Sequence, residues 1–202
     1  MEMLPLAFTS GWASGINAYA TVLILGLLGR FAHIAQVPEG LQRVDVLIVM
    51  AVLTVIELVA DKIPYVDSAW DTISTVIRPI AGATIGALMA GANGDVWTVA
   101  LASVGGITAL VSHLTKAGLR LAINTSPEPA SNIAASLAGD VAVTGVATAS
   151  VLAPIPVAIV VAILLVIGIV ILIFAFRRVR RGWRSFRRWW ERRRATTGSA
   201  AH

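Results

Sequence analysis

Two sets of polar side chains recur at helical spacing in stretches that are otherwise apolar. Glu128, Asn132, Ser136, Asp140, Thr144 and Thr148 follow one another at four-residue intervals. In a helix each such step drifts by about 40°, so the first four share one broad face before the line winds round. Thr54, Glu57 and Asp61 stand at i, i+3 and i+7, with Lys62 and Pro64 next. Ser10, Ser14, Asn17 and Thr21 form a third face, and Thr108, Ser112 and Lys116 a fourth. In an apolar environment a carboxylate can hold a proton or a cation, and hydroxyls and amides can line a path for a polar solute. Glu57, nearly a turn deeper than Asp61, is the better candidate for a buried proton- or cation-binding carboxylate. The ladder from Glu128 onward reads either as interhelical hydrogen bonding or as one wall of a polar cavity. Asp67 and Asp71 read as a solvated face, and His113 as a structural hydrogen-bonder.

These residues are not those of a catalyst. The chain has no Cys and only three His, with no histidine pair for a metal, no Gly-x-Ser-x-Gly elbow and no phosphate loop. No enzyme activity, cofactor or metal is expected.

The elements that carry them are those of a membrane protein. The sequence is 57% hydrophobic and 13% charged, far below the quarter or so of charged residues in soluble domains. Its mean hydropathy is +0.82. Residues 141–176 contain no charged side chain. Their second half, Pro154 to Phe176, would span roughly 35 Å as a helix, enough to cross the hydrocarbon layer with some tilt. Thr9–Gly29, Val44–Ala60, Pro79–Ala92, Val96–Leu114 and Ala130–Leu152 supply further apolar segments, so about six spans are expected in an all-α polytopic bundle. Pro79–Ala92 is short for a span, so it is either tilted and extended by its flanks or a re-entrant half-helix. The preceding Asp61–Arg78, with Val66, Trp70, Ile73 and Ile77 at helical spacing, reads as an amphipathic helix in the interface. Asn124 to Pro129 holds two prolines and cannot continue a helix. Gly11 with Gly15, and Gly82 with Gly86, are small-residue pairs that let helices approach closely, within one chain or between copies in a homo-oligomer.

Charge is divided sharply along the chain. Residues 1–176 carry six basic and ten acidic side chains, while residues 177–202 carry ten Arg and one Glu. The pI of ≈ 10.7 therefore describes the tail. Basic residues mark the cytoplasmic side, which places the C-terminus there and, with six spans, the N-terminus as well. Arg outnumbers Lys fourteen to two in an Ala- and Val-rich chain, the composition of a GC-rich bacterial genome and hence of a bacterial inner-membrane protein. Gly15-Ile16-Asn17-Ala18 echoes Gly106-Ile107-Thr108-Ala109, which raises an inverted three-helix repeat.

The tail itself is patterned. Val179, Trp183, Phe186 and Trp190 make an apolar stripe among Arg177, Arg178, Arg180, Arg181, Arg184, Arg187 and Arg188. A cytoplasmic helix lying on anionic lipid over residues 177–194 fits this stripe better than nucleic-acid binding does. Residues 195–202 read as a disordered end, and residues 1–176 as the transmembrane domain.

Several of these segments resemble a known family. They are Ser14-Gly15-Ile16-Asn17-Ala18-Tyr19-Ala20-Thr21, Glu57 with Asp61-Lys62-Ile63-Pro64, Asp67 with Trp70-Asp71 and Arg78-Pro79, and Gly118 with Arg120 followed by Asn124-Thr125-Ser126-Pro127-Glu128-Pro129. In these the chain, over residues 6–175, is similar to the small bacterial integral membrane proteins grouped as domain-of-unknown-function family 4126. The resemblance implies a membrane helical fold and marks Glu57, Asp61, Arg78, Asn124 and Glu128 as motif positions. It excludes the arginine tail and carries no established activity.

The functional expectation is a small transporter or channel-like protein for an ion or small polar solute, with proton coupling open. Glu57 and Asp140 would be its buried carboxylates, Asn17, Asn132 and Ser136 its path, and Asn124–Pro129 its mouth. The alternative is a non-transporting scaffold or lipid-handling accessory protein whose polar residues only bind the helices to each other.

Overall fold

The structure is a computed structural model, and it describes residues 3–63, 66–91, 93–124 and 129–198. Seven helices and one short 3-10 turn make up these residues: α1 (Met3–Ile16), α2 (Ala18–Phe31), the turn Glu39–Gln42, α3 (Val44–Ala60), α4 (Val66–Ala90), α5 (Asp95–Asn124), α6 (Pro129–Leu152) and α7 (Pro154–Gly198). The architecture is the expected all-α membrane bundle. Four helices are long and apolar enough to cross a membrane: Ala69–Ala90 within α4, Asp95–Arg120 within α5, Ile133–Leu152 within α6 and Pro154–Phe174 within α7. Their outward side chains are aliphatic, including Val76, Ile80, Val99, Ile107, Val141, Ile159 and Val166, as lipid contact demands.

The first apolar segment is not a span. The chain breaks at Asn17, whose backbone is extended (φ −150°, ψ 100°), and α1 and α2 lie on either side with 14 residues each, about 21 Å. The outer ends of both helices lie at the same end of the bundle. Met3 Sδ accepts a hydrogen bond from Asn93 Nδ2, between α4 and α5, at 3.6 Å. Leu6 and Ala7 of α1 share one apolar cluster with Val22 and Leu25 of α2, Val37 and Leu41 of the next loop, Ile85, Met89 and Ala90 of late α4, Leu101 of early α5 and Val151 of late α6. The hairpin α1–α2 therefore enters from this loop end and returns to it, with Asn17 at its tip.

The remaining helices run end to end. α3 leaves the loop end beside α2, where Leu47 packs against Gly26, and finishes at Asp61. α4 returns from there, and α5, α6 and α7 follow in alternation, with Gly82 of α4 against Gly105 of α5 and Gly118 of α5 against Leu172 of α7. The first apolar segment is thus a hairpin instead of a crossing helix, and among the described residues four helices, not six, are long and apolar enough to span.

Pro79–Ala92 is extended by its N-terminal flank: Val66–Ala90 is one helix of 25 residues that carries Pro79 inside it, so Asp61–Arg78 is not a separate interfacial helix. α7 is one helix of 45 residues, Pro154–Gly198; residues 199–202 lie outside the described residues. The echoing segments around Gly15 and Gly106 differ in form, because α5 passes Thr108 without the break that α1–α2 makes at Asn17.

Candidate functional site

The end of the bundle opposite the loops holds a buried cluster of charges built by α3, α4 and α5 around the hairpin tip. α3 brings Glu57 and, just past its last residue, Asp61; α4 brings Asp67, Asp71 and Arg78; α5 brings His113, Lys116 and Arg120. All are buried except Lys116, which is half-buried. Arg78 stands midway along α4, about 18 Å from either end of that helix.

The pairing is dense. Arg78 Nη2 reaches Glu57 Oε1 at 2.5 Å and Asp71 Oδ1 at 3.6 Å. Asp61 takes Lys116 Nζ at 3.1 Å and Arg120 Nη2 at 3.1 Å. Arg120 also meets Asp71 through Nη1 at 3.0 Å and Asp67 through Nε at 4.0 Å. Asp67 and Asp71 are thus not the solvated face that their spacing suggested: an amphipathic pattern looks the same whether its polar side meets water or buried cations. Burial pushes the Asp61 carboxyl up, but Lys116 and Arg120 outweigh it and hold the group at about 2.

The same cations close the end of α1. A helix that stops inside the bundle leaves carbonyls without partners, and its C-terminal end attracts positive charge. Arg78 Nη1 donates to the Gly15 carbonyl at 3.2 Å, Lys116 Nζ to that of Ile16 at 2.8 Å, and Ser112 Oγ to that of Trp12 at 2.9 Å. In return Ser14 Oγ donates to the Arg78 carbonyl at 3.2 Å. On the other side of the break Asn17 caps α2, its Oδ1 accepting from the Ala20 amide at 2.9 Å. Close packing makes this reach possible, because a Cβ at Gly11 or Gly15 would strike the backbone of Gly105 or Ala109. Tyr19, two residues past the tip, meets Trp70 of α4 edge-on at 6.4 Å between ring centroids.

His113 is fixed by the cluster. Its Nδ1 lies 2.8 Å from Arg78 Nη1, and a guanidinium only donates, so Nδ1 is the acceptor. The ring proton then sits on Nε2, 3.0 Å from Thr75 Oγ1.

Not every polar atom is paired. Among the described residues Asn17 Nδ2, Glu57 Oε2, Asp71 Oδ1, Arg78 Nε, Ser136 Oγ and Asp140 Oδ2 are buried without a hydrogen-bond partner. Ser136 is buried and Asp140 half-buried on α6, whereas Thr144 faces outward and bonds only the Asp140 carbonyl of its own helix. A cavity of ≈ 500 Å³ lies between α1, α5, α6 and α7, with Lys116 and Arg120 on one side and mainly apolar walls elsewhere. Its α6 wall is Ala135, Gly139 and Ala142, and the lining includes neither Glu57, Asn17, Ser136 nor Asp140.

Of the residues singled out by spacing or by the resemblance, the structure brings together Asn17, Glu57, Asp61 and Arg78. The side chains of Asn124, Glu128 and Asn132 lie outside the described residues. So do those of Arg178, Arg181, Trp183, Arg184, Phe186, Arg187, Arg188 and Trp190; Arg177 and Arg180 are exposed. Lys116 stands on the fourth polar face and Arg120 in the family motif, and their four-residue spacing on one face of α5 is the signal that they act together.

A family model described as a domain of unknown function (DUF4126) matches residues 4–173. No curated protein and no solved structure matches the chain.

Proposed function

The chain belongs to the DUF4126 family, and on that footing we propose that it is a small transporter of an ion or small polar solute, worked from the seat of its re-entrant hairpin. The observation that carries this reading is the set of unpartnered polar atoms around the hairpin tip. Glu57 Oε2, Asp71 Oδ1 and Arg78 Nε are all buried there without a hydrogen bond. Each such group costs about 1–3 kcal/mol, which a protein that only held its helices together would have no reason to carry. A solute, a water or a proton with complementary donors and acceptors removes that cost. Broken helices with their ends at mid-bundle are also how transporters expose backbone polarity to a passing ion.

In this reading the protein is a multi-pass protein of the bacterial inner membrane and not an enzyme. The arginine tail sets the charged end in the cytoplasm and rests on anionic lipid; five passes then put the N-terminus outside.

The apolar walls of the cavity favour a second reading, a scaffold or lipid-handling accessory protein. Proteoliposomes holding the full chain separate the two. Proton, sodium, potassium, chloride and small neutral solutes are followed in turn with trapped indicators and labelled solutes. Transport predicts a flux above that of protein-free vesicles that falls at least tenfold in Glu57→Gln and in Asn17→Ala. Flux equal to that of empty vesicles, or unchanged in both variants, would leave the scaffold.

A further inference from the structure

Arg78 is shared between two carboxylates of the cluster, Glu57 and Asp71. His113 beside it brings no positive charge, because its Nδ1 accepts from Arg78 and the ring is therefore neutral. Asp140 on α6 adds a further carboxyl group, Tyr19 on α2 brings no positive charge, and Lys62 donates to the Leu58 carbonyl of its own helix at 2.7 Å. Among the described residues no group of three or more His, Cys, Asp or Glu is placed to hold a metal ion.

Arg78 Nη2 faces both Glu57 Oε1, at 2.5 Å, and Asp71 Oδ1, at 3.6 Å. The far oxygen of Glu57 and this oxygen of Asp71 are two of the buried atoms without a hydrogen bond. One guanidinium nitrogen stands between these two oxygen atoms and bonds only that of Glu57, while the other oxygen of Asp71 takes Arg120 Nη1 at 3.0 Å.

We propose that Glu57 and Asp71 hold one exchangeable proton between them, and that Arg78 moves from Glu57 to Asp71 when Glu57 takes it. The proton comes from water and returns to water, so no other reactant is needed. It enters by Asp71, whose side chain is 10% exposed where that of Glu57 is 1%. On Glu57 it converts a carboxylate to a neutral acid. That acid no longer competes for Nη2, which closes on Asp71. The other arm of the same guanidinium holds the Gly15 carbonyl, so the shift reaches the hairpin tip directly. As a coupling site for solute movement this rests on the transport reading; as a proton site it does not.

Infrared difference spectroscopy of the full chain in lipid bilayers, titrated from neutral to acid pH, tests it. A carbonyl stretch of a protonated carboxylic acid should appear, shift in D2O, vanish in Glu57→Gln and titrate at a changed pH in Asp71→Asn. Glu57→Asp, which keeps the charge, should retain a displaced band and guards against a variant that does not fold. The exposed control Asp45→Asn should leave the band untouched. A band identical in Glu57→Gln and in Asp71→Asn, or none in the wild-type protein, would overturn the proposal. Flux without the band would sink this site and leave transport standing; the band without flux would do the reverse.

Discussion

Arg78 Nη2 and Glu57 Oε1 lie 2.5 Å apart, and each side chain is 1% exposed. Two opposite charges removed from water attract strongly, but desolvation consumes most of that gain. The pair therefore adds little net stability over an apolar pair of equal shape. Its position is more informative: it joins the helix after the hairpin to the helix at the centre of the bundle, and the guanidinium also holds the hairpin's tip.

Removing one member strands the other. Arg78→Met should destabilise the protein by about 3–5 kcal/mol, because Glu57 is left buried and unpaired. Adding Glu57→Leu to it should restore much of that loss while abolishing flux. Chemical unfolding in detergent micelles reads the first, and the proteoliposome assay the second.

Topology can be read without background labelling, since the chain has no Cys. Single cysteines at Gln36, Gly94 and Ala153, and one at Leu4, should all react with an impermeant maleimide from the periplasmic side. One at His202 should react only after the membrane is opened. Labelling of Leu4 from the cytoplasm alone would restore a crossing first segment.

Asp61 makes stability depend on pH in a stated direction. Its folded-state value of about 2 lies below the ordinary 3.8, so its contribution is present above the ordinary value and is lost as pH falls from about 4 toward 2. The gap corresponds to about 2 kcal/mol. Asp61→Asn should be less stable at neutral pH and should lose the part of the acid transition that falls in this window. Thermal unfolding of the two proteins across that range checks it.

Glycines on the helix contacts and away from them should behave oppositely. A Cβ at Gly86 would meet the Leu101 carbonyl, whereas one at Gly145 would meet nothing within 4 Å. Gly86→Leu should cost more than the about 1–3 kcal/mol of ordinary overpacking, because the obstacle is backbone. Gly145→Ala in α6 should instead stabilise by roughly 0.5–1 kcal/mol through helix propensity.

The tail adds a prediction on lipid. A peptide of residues 177–194 should bind anionic vesicles, weaken in high salt without losing binding, and still bind neutral vesicles detectably, since the aromatic stripe is not screened. With Trp183, Phe186 and Trp190 replaced by Ser, only the salt-sensitive part should remain. Tight RNA binding at physiological salt with no vesicle binding would assign the tail to nucleic acid.

The charge cluster was partly legible because Glu57, Asp61 and Arg78 are costly in lipid and need partners wherever they stand. Which partners was not legible. Asp71 meets Arg120 from 49 residues away and Asp61 meets it from 59, and no spacing rule reaches that far. The hairpin escaped for a different reason. Hydropathy measures the length of an apolar run, and Thr9–Gly29 has the length of a crossing helix; it carries no information on direction. The reversal depends on one residue, Asn17, whose backbone is extended, just after two carbonyls, those of Gly15 and Ile16, that donors on other helices hold. The small and polar first half of that run, with Ser10, Ser14 and Asn17, was the sign that it sits inside protein and not in lipid.

The hairpin also sets an order of assembly. The carbonyls of Gly15 and Ile16 find their donors on Arg78 and Lys116, which follow them by 63 and 100 residues. When α1 and α2 leave the ribosome neither donor exists, and bare carbonyls in hydrocarbon each cost several kcal/mol. The first segment made is thus the last that can be seated. Until α5 is in place it must wait at the membrane surface or stand as an ordinary crossing helix, and in the second case its N-terminal half has to reverse across the bilayer before the protein is complete.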